Sequence, residues 1–260
     1  MRKAIFITGG GSGIGRATAQ LFASRGWLVG LGDVNEAGLA ETTGLIGAGN
    51  SFTVRMDVRD REQWRDALRR FTAASDGRLN ILFNNAGIGQ GGPFELMTED
   101  EKDRVLDINL RGVIFGAEAA LPYLKATQGA ALVNTCSAAG LYAGPGMSIY
   151  AVTKFGVRAL TDSLAAEWEE HGIKVRSIMP SFIDTPLLDS TVTGSNHSFR
   201  QEVQERGLEF TAVETVAEAV WTAAHGKKVH TLVGKTAKRL AFILRWAPGL
   251  VHRMRPKSAD

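Results

Sequence analysis

The chain has 260 residues, of which 44% are hydrophobic and 22% charged, a composition that fits one α/β domain and excludes a disordered protein. Its only cysteine, Cys136, excludes an intrachain disulfide, and because the five histidines lack metal-ligand spacing we predict no metal site. The formal net charge is +3, but residues 227–257 alone hold nine Lys and Arg and no acid. The rest of the chain is therefore net acidic, which argues against nucleic-acid binding by the main domain.

Short apolar runs alternate with longer helical patterns along the chain. The first run, Ala4 to Ile7, is too short for an export signal, and no run approaches the roughly 18 apolar residues of a membrane span, so we expect a cytoplasmic protein. The predicted strands are AIFIT, WLVGLGDV, FTVRMDV, ILFNNAG, AALVNTC, KVRSIMP and HTLVGK. Strands that alternate with helices predict a single-domain α/β fold, a doubly wound parallel sheet with helices on both faces.

Two segments between these elements carry signals of their own. Thr98 and Glu101 have the spacing of a capping box and predict the start of the fourth helix, over residues 100–124. The polar segment from about Leu187 to Phe210 has little periodicity, and we predict that it is a substrate-binding loop.

A glycine-rich turn follows the first predicted strand in the sequence FITGGGSGIGRA. Glycines permit a tight turn and let a pyrophosphate approach the backbone, while the N-terminus of the following helix offers free N–H groups. The plain G-x-G-x-x-G pattern is absent, and Arg16 and Ala17 replace the Lys and Ser/Thr of a phosphate-transfer loop. The turn therefore favours dinucleotide binding, and its alternative interpretation is a tight connection without a ligand.

Asp33 closes the second predicted strand, 18 residues after Gly15, where a dinucleotide site places an acid on the ribose hydroxyls. A 2′-phosphate at 4 Å from this carboxylate would be repelled by about 4 kcal/mol per unit charge pair at an effective dielectric near 20. NAD is therefore favoured, and NADP is the alternative because Arg16 or Asn35 can accommodate a phosphate if Asp33 turns away.

Several motifs in a fixed order resemble the short-chain dehydrogenase/reductase family. They are the T-G-x-x-x-G-x-G pattern of Thr8, Gly9, Gly13 and Gly15, then NNAG at 84–87, Asn109, Ser137, and Tyr150-x-x-x-Lys154. The resemblance covers about residues 3–234. It implies a Rossmann-type sheet, an oxidoreductase acting on alcohols and ketones, and a homodimer or homotetramer formed through the fourth helix and the helix that holds Tyr150.

The resemblance also implies a role for each catalytic residue. Tyr150 is the general acid in carbonyl reduction and the base in alcohol oxidation, Ser137 orients the substrate oxygen, Lys154 holds the nicotinamide ribose, and Asn109 supports a water relay. A free tyrosine titrates near pH 10, so a pKa near 7 requires that the site stabilise the ionised phenol by about 4 kcal/mol. An exposed ion pair supplies at most about 1 kcal/mol, which implies a dry site with additional positive charge.

The cofactor site implied by the resemblance comprises Gly9, Gly11, Ser12, Gly13, Ile14, Gly15, Asp33, Asp57, Val58, Asn85, Ala86, Gly87, Tyr150, Lys154, Pro180, Ile183 and Thr185. Ser181 stands where the family usually has glycine. An alternative interpretation of Asp57 is a solvated acid at the end of a strand.

The substrate pocket is expected between three segments: residues 89–97, residues 138–147 and the loop from Leu187. Their apolar side chains are Ile88, Phe94, Leu141, Tyr142, Met147, Leu187, Leu188, Val192, Phe199 and Phe210. This composition predicts a bulky, mostly apolar ketone or secondary alcohol. Two other functions stay open: a dinucleotide-binding sensor or scaffold without turnover, and a carrier-bound 3-oxoacyl reductase, which would favour NADP and a basic face near the pocket.

Residues 235–260 form a basic, apolar C-terminal extension beyond the dinucleotide-binding and catalytic domain of residues 1–234. Phe242, Trp246 and the Leu and Ile positions alternate with Arg and Lys, and Pro248 interrupts the pattern. The extension either touches a membrane surface peripherally or packs against the domain or a second subunit. We favour packing, because the continuous apolar run is short.

Overall fold

The structure is a computed structural model that describes residues 2–253. Its strands are β1 (Ala4–Thr8), β2 (Leu28–Asp33), β3 (Ser51–Arg55), β4 (Ile81–Asn84), β5 (Ala131–Thr135), β6 (Lys174–Pro180) and β7 (His230–Val233). They form one parallel sheet in the order β3-β2-β1-β4-β5-β6-β7. The predicted Rossmann-type sheet is confirmed.

Helices cover both faces of this sheet. They are α1 (Gly13–Ser24), α2 (Glu36–Ile46), α3 (Arg61–Ala74), α4 (Glu99–Leu106), α5 (Gly112–Ala126), α6 (Ser148–Glu167), α7 (Phe199–Glu205), α8 (Val213–His225), α9 (Lys235–Trp246) and α10 (Pro248–Arg253). None of the helices within residues 2–253 is long and apolar enough to cross a bilayer.

Strand β1 shows why the core lies on both sides of the sheet. Its residues are fully buried, and alternate side chains enter different clusters: Ile5 and Ile7 pack with α1 and α8, whereas Phe6 packs with Trp64 and Phe71 of α3. A strand buried on both faces is what a central parallel sheet requires, and it explains the unbroken apolar run AIFI.

The predicted fourth helix is interrupted. Thr98 and Glu101 form the expected capping box at the start of α4, but a π-helical turn, Asp107–Arg111, separates α4 from α5. A π turn holds one more residue per turn than the α-helix, and such turns often occur at functional sites. Asn109 lies within it.

The predicted loop 187–210 contains a helix. Ser198 accepts a hydrogen bond from the Gln201 backbone and Gln201 reaches back to the Ser198 backbone, a capping box that starts α7. This S-x-x-Q pattern was the available sequence signal for a helix start, and Val203 is buried beneath the helix.

The C-terminal extension begins at Gly234, whose φ of +89° favours glycine. The chain leaves β7 there and forms α9, which packs on the domain through the fully buried Ala237. The predicted extension reaches residue 260, and its last residues, 254–260, lie outside the described part of the chain.

Candidate active site

The carboxyl ends of the strands open into a cleft of about 590 Å³, here called the main cleft. In this strand order β1 and β4 are neighbours, and the chain proceeds from β1 toward one edge of the sheet and from β4 toward the other. Such a switch point is where open α/β sheets bind ligands. Predicted site residues that line it are Gly9, Ser12, Gly13, Ile14, Asp33, Asp57, Val58, Asn85, Ala86, Gly87, Ser137, Tyr150, Lys154, Pro180, Ile183 and Thr185. Gly11, Gly15 and Asn109 are not among the lining residues.

The glycine turn has the backbone that its sequence predicts. Gly9 and Gly13 have φ values of +68° and +49°, which L side chains rarely adopt. A Cβ on Gly15 would lie 2.0 Å from the Gly9 carbonyl oxygen, so this glycine allows the first turn of α1 to pack against the loop. Gly11 donates its backbone N–H to the Asp33 carboxylate at 2.9 Å. Gly11 and Gly15 therefore shape the main cleft from behind its surface.

Asp33 lies at the end of β2 and its carboxylate faces the glycine turn. Its second oxygen accepts from the Asn35 backbone at 3.0 Å. Arg16, the side chain that could take a phosphate, is held away by Glu41 at 2.5 and 2.7 Å and by the Gly11 carbonyl at 2.5 Å. The carboxylate is thus the charged group that this part of the main cleft presents.

Asp57 follows β3 and is bound by Arg59, whose guanidinium donates to both carboxylate oxygens at 2.6–3.0 Å. This hydrogen bonding holds the pKa of Asp57 below its usual range. Arg59 also lines the main cleft, a residue that the sequence analysis did not select.

The loop after β4 is tied to the neighbouring strands by side chains. The buried Thr8 hydroxyl accepts from the backbone N–H groups of Asn85 and Ala86, both at 3.1 Å, and the Asn85 amide donates to the Thr8 carbonyl at 2.9 Å. Thr135 on β5 donates to the Asn85 amide oxygen at 3.3 Å. These bonds fix the NNAG segment as one wall of the main cleft.

Asn109 holds the same loop from the other side. Its amide oxygen accepts from the Ile88 N–H at 2.8 Å, and its amide nitrogen donates to the Ile88 carbonyl at 2.9 Å. Asn109 is fully buried within the π turn. Asn109 is therefore connected to the main cleft through Ile88, which lines it.

Ser137, Tyr150 and Lys154 come together at the end of β5 and the start of α6. The Lys154 ammonium donates to the Thr135 carbonyl at 3.0 Å and lies 5.5 Å from the centre of the Tyr150 ring. Burial lowers the pKa of Lys154 to about 8 and raises the pKa of Tyr150 to about 12, which the Ser137 hydroxyl opposes by a smaller amount. Both effects have one cause, because burial disfavours the charged form of each group.

A second cavity of about 370 Å³, here called the apolar pocket, adjoins the main cleft. Six of the ten predicted substrate-pocket side chains line it: Tyr142, Met147, Leu187, Leu188, Val192 and Phe199. The other four do not: Ile88 lines the main cleft, Leu141 packs beside a core cluster, and Phe94 and Phe210 lie near Lys102 and Arg200.

Two further pairs of residues line the apolar pocket. Thr236 and Leu240 come from α9, so the C-terminal extension, which was not predicted to line the pocket, helps to form it. Glu202 of α7 and Arg206, the C-cap of that helix, lie in the predicted loop 187–210 and form an ion pair at 3.7 Å. The periodicity of the extension predicts a helix, but nothing in a periodic pattern says where that helix docks.

Known proteins resemble the chain in sequence and fold. The family model for short chain dehydrogenase matches residues 3–196, ending before residue 234, to which the motif resemblance extends. Levodione reductase from Leifsonia aquatica is 34% identical over 227 residues, 85% of each chain. A 3-oxoacyl-[acyl-carrier-protein] reductase from Thermotoga maritima is 35% identical over 191 residues, 72% of this chain and 76% of its own.

A solved structure extends the similarity to the whole fold. It is a short-chain dehydrogenase/reductase from Burkholderia phymatum in complex with NAD, with a TM-score of 0.85 and 27% identity, and the match covers 100% of this chain and 97% of that one. The sheet order, the glycine turn and the family match agree. The chain belongs to the short-chain dehydrogenase family and is an oxidoreductase of the NAD(P)-binding class.

Proposed function

We propose that the chain interconverts a secondary alcohol and a ketone with NAD as its cofactor, and that Tyr150 moves the proton. The observation that carries this proposal is that Ser137 and Tyr150 line both the main cleft and the apolar pocket. A carbonyl group held in the pocket would meet both hydroxyls at the boundary with the cleft. Two hydroxyls at one carbonyl oxygen can hold it by a hydrogen bond and transfer a proton to it.

The main cleft fits a dinucleotide on the evidence of its own backbone. The first-turn N–H groups of α1 face a turn in which Gly9 and Gly13 adopt left-handed conformations, an arrangement suited to a pyrophosphate. When bound, the nicotinamide group donates or accepts a hydride at the substrate carbon. Residues on the adenosine side would be Asp33, Asp57, Val58, Asn85, Ala86 and Gly87, and on the nicotinamide side Lys154, Pro180, Ile183 and Thr185.

The choice of NAD over NADP follows from the charges beside the glycine turn. Asp33 is an acid at the cleft wall, and the nearest candidate cation, Arg16, is neutralised by Glu41. A 2′-phosphate would meet the carboxylate without a free cation from Arg16 to offset the repulsion. A ribose with free hydroxyls would instead find a hydrogen-bond acceptor.

Burial makes the proton transfer harder than the sequence suggests. A fall in the pKa of Tyr150 from about 12 to about 7 corresponds to about 7 kcal/mol. The Lys154 ammonium is the cation nearest to the phenol ring in the site, and it is charged below a pKa of about 8. We infer that Lys154 stabilises the tyrosinate electrostatically and holds the ribose, because both tasks need a cation at this position.

Asn109 is better described as a positioning residue. Its two hydrogen bonds to Ile88 leave one amide hydrogen and acceptor capacity on its oxygen. We infer that it orders the loop beside the reacting region and can support a water relay toward Lys154.

The substrate class follows from the walls of the apolar pocket. Aromatic and aliphatic side chains dominate, and Arg206 is paired with Glu202. Arg200 is bound by Asp184 and Asp189, both at 2.6 Å, and is therefore not available to a substrate carboxylate. These features support a bulky, mostly apolar ketone or secondary alcohol.

The similarity to the Thermotoga maritima reductase supports a second candidate, reduction of a carrier-bound 3-oxoacyl chain. Such a substrate needs a basic face at the pocket for the acidic carrier. Arg200 and Arg206 beside the pocket are paired with acids, and Asp33 disfavours the NADP that such a reductase would favour, which makes this candidate weaker.

We expect a homodimer or homotetramer formed through α4, α5 and α6. Val152 and Phe155, three residues apart on α6, are 53% and 41% exposed in the single chain. Two large apolar side chains on one face of a helix are typical of a surface that another subunit covers.

The experiment that tests the function measures oxidation of NADH and of NADPH with a panel of apolar aryl and alkyl ketones. Tyr150→Phe is the test variant, and Tyr123→Phe on α5 is the matched control because Tyr123 lines neither cavity. Turnover with NADH that Tyr150→Phe abolishes and Tyr123→Phe retains supports the proposal. Tight binding of NADH without turnover of any ketone would favour a dinucleotide sensor. Turnover of carrier-linked 3-oxoacyl chains with NADPH only would favour the second candidate.

A further inference from the structure

The outer face of α9 is exposed along its whole length. Lys235, Lys238, Arg239, Phe242, Arg245 and Trp246 are its exposed residues. At 3.6 residues per turn they fall within about one third of the helix circumference. The inner face, with Ala237 and Leu240, packs on the domain and lines the apolar pocket. The helix therefore has two distinct faces, and within the described residues only the inner one is covered.

This outer face is basic. It carries four Lys and Arg and no acid, and it lies in the segment 227–257 that holds nine Lys and Arg and no acid. Lys235 forms an ion pair with Glu209 at 3.1 Å. Within residues 2–253, no acid forms an ion pair with Lys238, Arg239 or Arg245, and all three residues are exposed to solvent.

The same face ends in an apolar ridge. Phe242 and Trp246, four residues apart, are 65% and 68% exposed, and Leu250 on the following helix α10 is 49% exposed. The Arg245 guanidinium lies 5.4 Å from the centre of the Trp246 ring. Trp with flanking Lys and Arg is the composition of helices that lie in the interface of a bilayer.

We propose that α9 binds the surface of an anionic lipid bilayer, with its aromatic ridge in the headgroup region and its cations on the lipid phosphates. A bilayer fits better than a second copy of the chain. A twofold interface would bring this face onto itself, so that its cations would meet cations. An anionic surface complements the charge and covers the aromatic side chains at the same time.

The position of α9 gives this attachment a consequence for the reaction, which rests on the proposed function. Thr236 and Leu240 on its inner face form part of the apolar pocket. A helix that touches the bilayer on one side and the pocket on the other places the pocket next to the membrane. Apolar ketones or alcohols that partition into lipid would then be concentrated beside the site.

The test uses the full chain and vesicles of phosphatidylcholine, with and without phosphatidylglycerol, at low and high salt. We expect co-sedimentation with the anionic vesicles only, and its loss at high salt. Lys238→Glu combined with Arg239→Glu should weaken binding by about tenfold or more. Phe242→Ser combined with Trp246→Ser should weaken it as well. Arg65→Glu with Arg69→Glu on α3, and Leu45→Ser on α2, are matched controls at other exposed positions.

Tryptophan fluorescence gives a second readout that does not depend on activity. Of the five tryptophans, Trp27, Trp64 and Trp168 are buried and Trp221 is half-buried, so Trp246 is the one that vesicles can reach. Its emission should shift to shorter wavelength with anionic vesicles, and Trp246→Phe should abolish the shift. No binding at low salt, or equal binding by the α9 variants and the controls, overturns the proposal. A lipid-independent change in oligomeric state with the Phe242/Trp246 variant would assign this face to a second copy instead.

Discussion

The Lys154 ammonium lies 5.5 Å from the centre of the Tyr150 ring but donates its hydrogen bond to the Thr135 carbonyl at 3.0 Å. The two side chains are therefore neighbours, and the Lys154 ammonium donates to the backbone of β5. Burial moves their pKa values in opposite directions, to about 12 for the phenol and about 8 for the ammonium. Between these values both groups are neutral in the free protein, so the proposed stabilisation of a tyrosinate by Lys154 requires that Lys154 be protonated.

The first prediction concerns the pH dependence of ketone reduction. Because the pKa of Lys154 is lowered to about 8, its charge is present below that pH and is lost above it. The kcat/KM for reduction, which reports the free enzyme, should therefore be level at neutral pH and fall above about 8. Lys154→Arg, which stays charged, should retain part of the activity and remove the decline. If kcat/KM of Lys154→Arg still falls with the same midpoint pH, the decline belongs to the titration of another group.

The second prediction is that Lys154→Met stabilises the free protein while it abolishes turnover. The folded pKa of Lys154 is lowered, so the unfolded chain binds more protons between about pH 8 and 10.5, and stability rises with pH across that window. At pH 7 the full penalty of about 3 kcal/mol is present, and loss of the Thr135 hydrogen bond offsets about 1–2 kcal/mol of the gain.

Urea unfolding at pH 7 and at pH 10.5 measures this effect. We expect a net gain of about 1–2 kcal/mol at pH 7, and at pH 10.5 a net loss of about 1 kcal/mol, because the burial penalty is then nearly absent while the hydrogen bond is still missing. Lys125→Met, at an exposed position on α5, should show no such dependence on pH. Destabilisation of the Lys154 variant at pH 7 would contradict the assigned cost of burying its charge.

The third prediction concerns Asp33 and the choice of cofactor. Asp33→Ala should raise the kcat/KM ratio of NADPH to NADH by about tenfold or more, because it removes a negative charge from the position of a 2′-phosphate. The Gly11 N–H loses its acceptor, so the glycine turn should also become less stable. Initial rates with both cofactors measure the ratio. Glu41→Ala leaves Asp33 in place and frees Arg16, so it should raise the same kcat/KM ratio by less than Asp33→Ala does. An unchanged ratio in Asp33→Ala would remove the basis for preferring NAD.

The fourth prediction compares two helical glycines. A Cβ at Gly15 would lie 2.0 Å from the Gly9 carbonyl, so Gly15→Ala must displace the glycine turn and should abolish dinucleotide binding. A Cβ at Gly44 on α2 meets nothing within 4 Å, and Gly44→Ala should stabilise the protein by about 0.5–1 kcal/mol. Thermal unfolding and titration of NADH fluorescence separate the two effects. Normal NADH affinity in Gly15→Ala would show that the turn tolerates a shift.

The fifth prediction concerns the contribution of α9 to specificity. Leu240→Ala enlarges the apolar pocket and should raise KM for small apolar ketones by about tenfold while favouring bulkier ones. Ile243→Ala is the control because Ile243 also lies on α9 but does not line the pocket. The ratio of kcat/KM values across a size series is the measurement. Equal effects of the two variants would mean that α9 only supports the fold.

The sequence predicts well what local chemistry determines. Alternating apolar runs predicted the strands, and the glycine spacing predicted a turn whose left-handed residues, Gly9 and Gly13, the structure contains. The capping box at Thr98 was also confirmed. These features depend on residues close together in the chain, so a short pattern holds the information.

Features that depend on tertiary contacts were not predicted. The π turn around Asn109 has no sequence signal in an otherwise helical pattern, and the capture of Asp57 by Arg59 depends on side-chain geometry. The contribution of Leu240 to the apolar pocket depends on where α9 docks. The pKa of Tyr150 illustrates the same limit, because the size of a burial effect cannot be read from the residue type.

Helix α9, which follows the last strand of the sheet, is also a wall of the apolar pocket. Thr236 and Leu240 lie more than 80 residues after Tyr150, beyond β7, which completes the sheet. The residues that we assign to the dinucleotide all precede Gly234, whereas this wall of the pocket follows it. A chain that ended at Gly234 would therefore separate the two proposed functions, because it would keep the residues assigned to the dinucleotide and lack part of the surface assigned to the substrate.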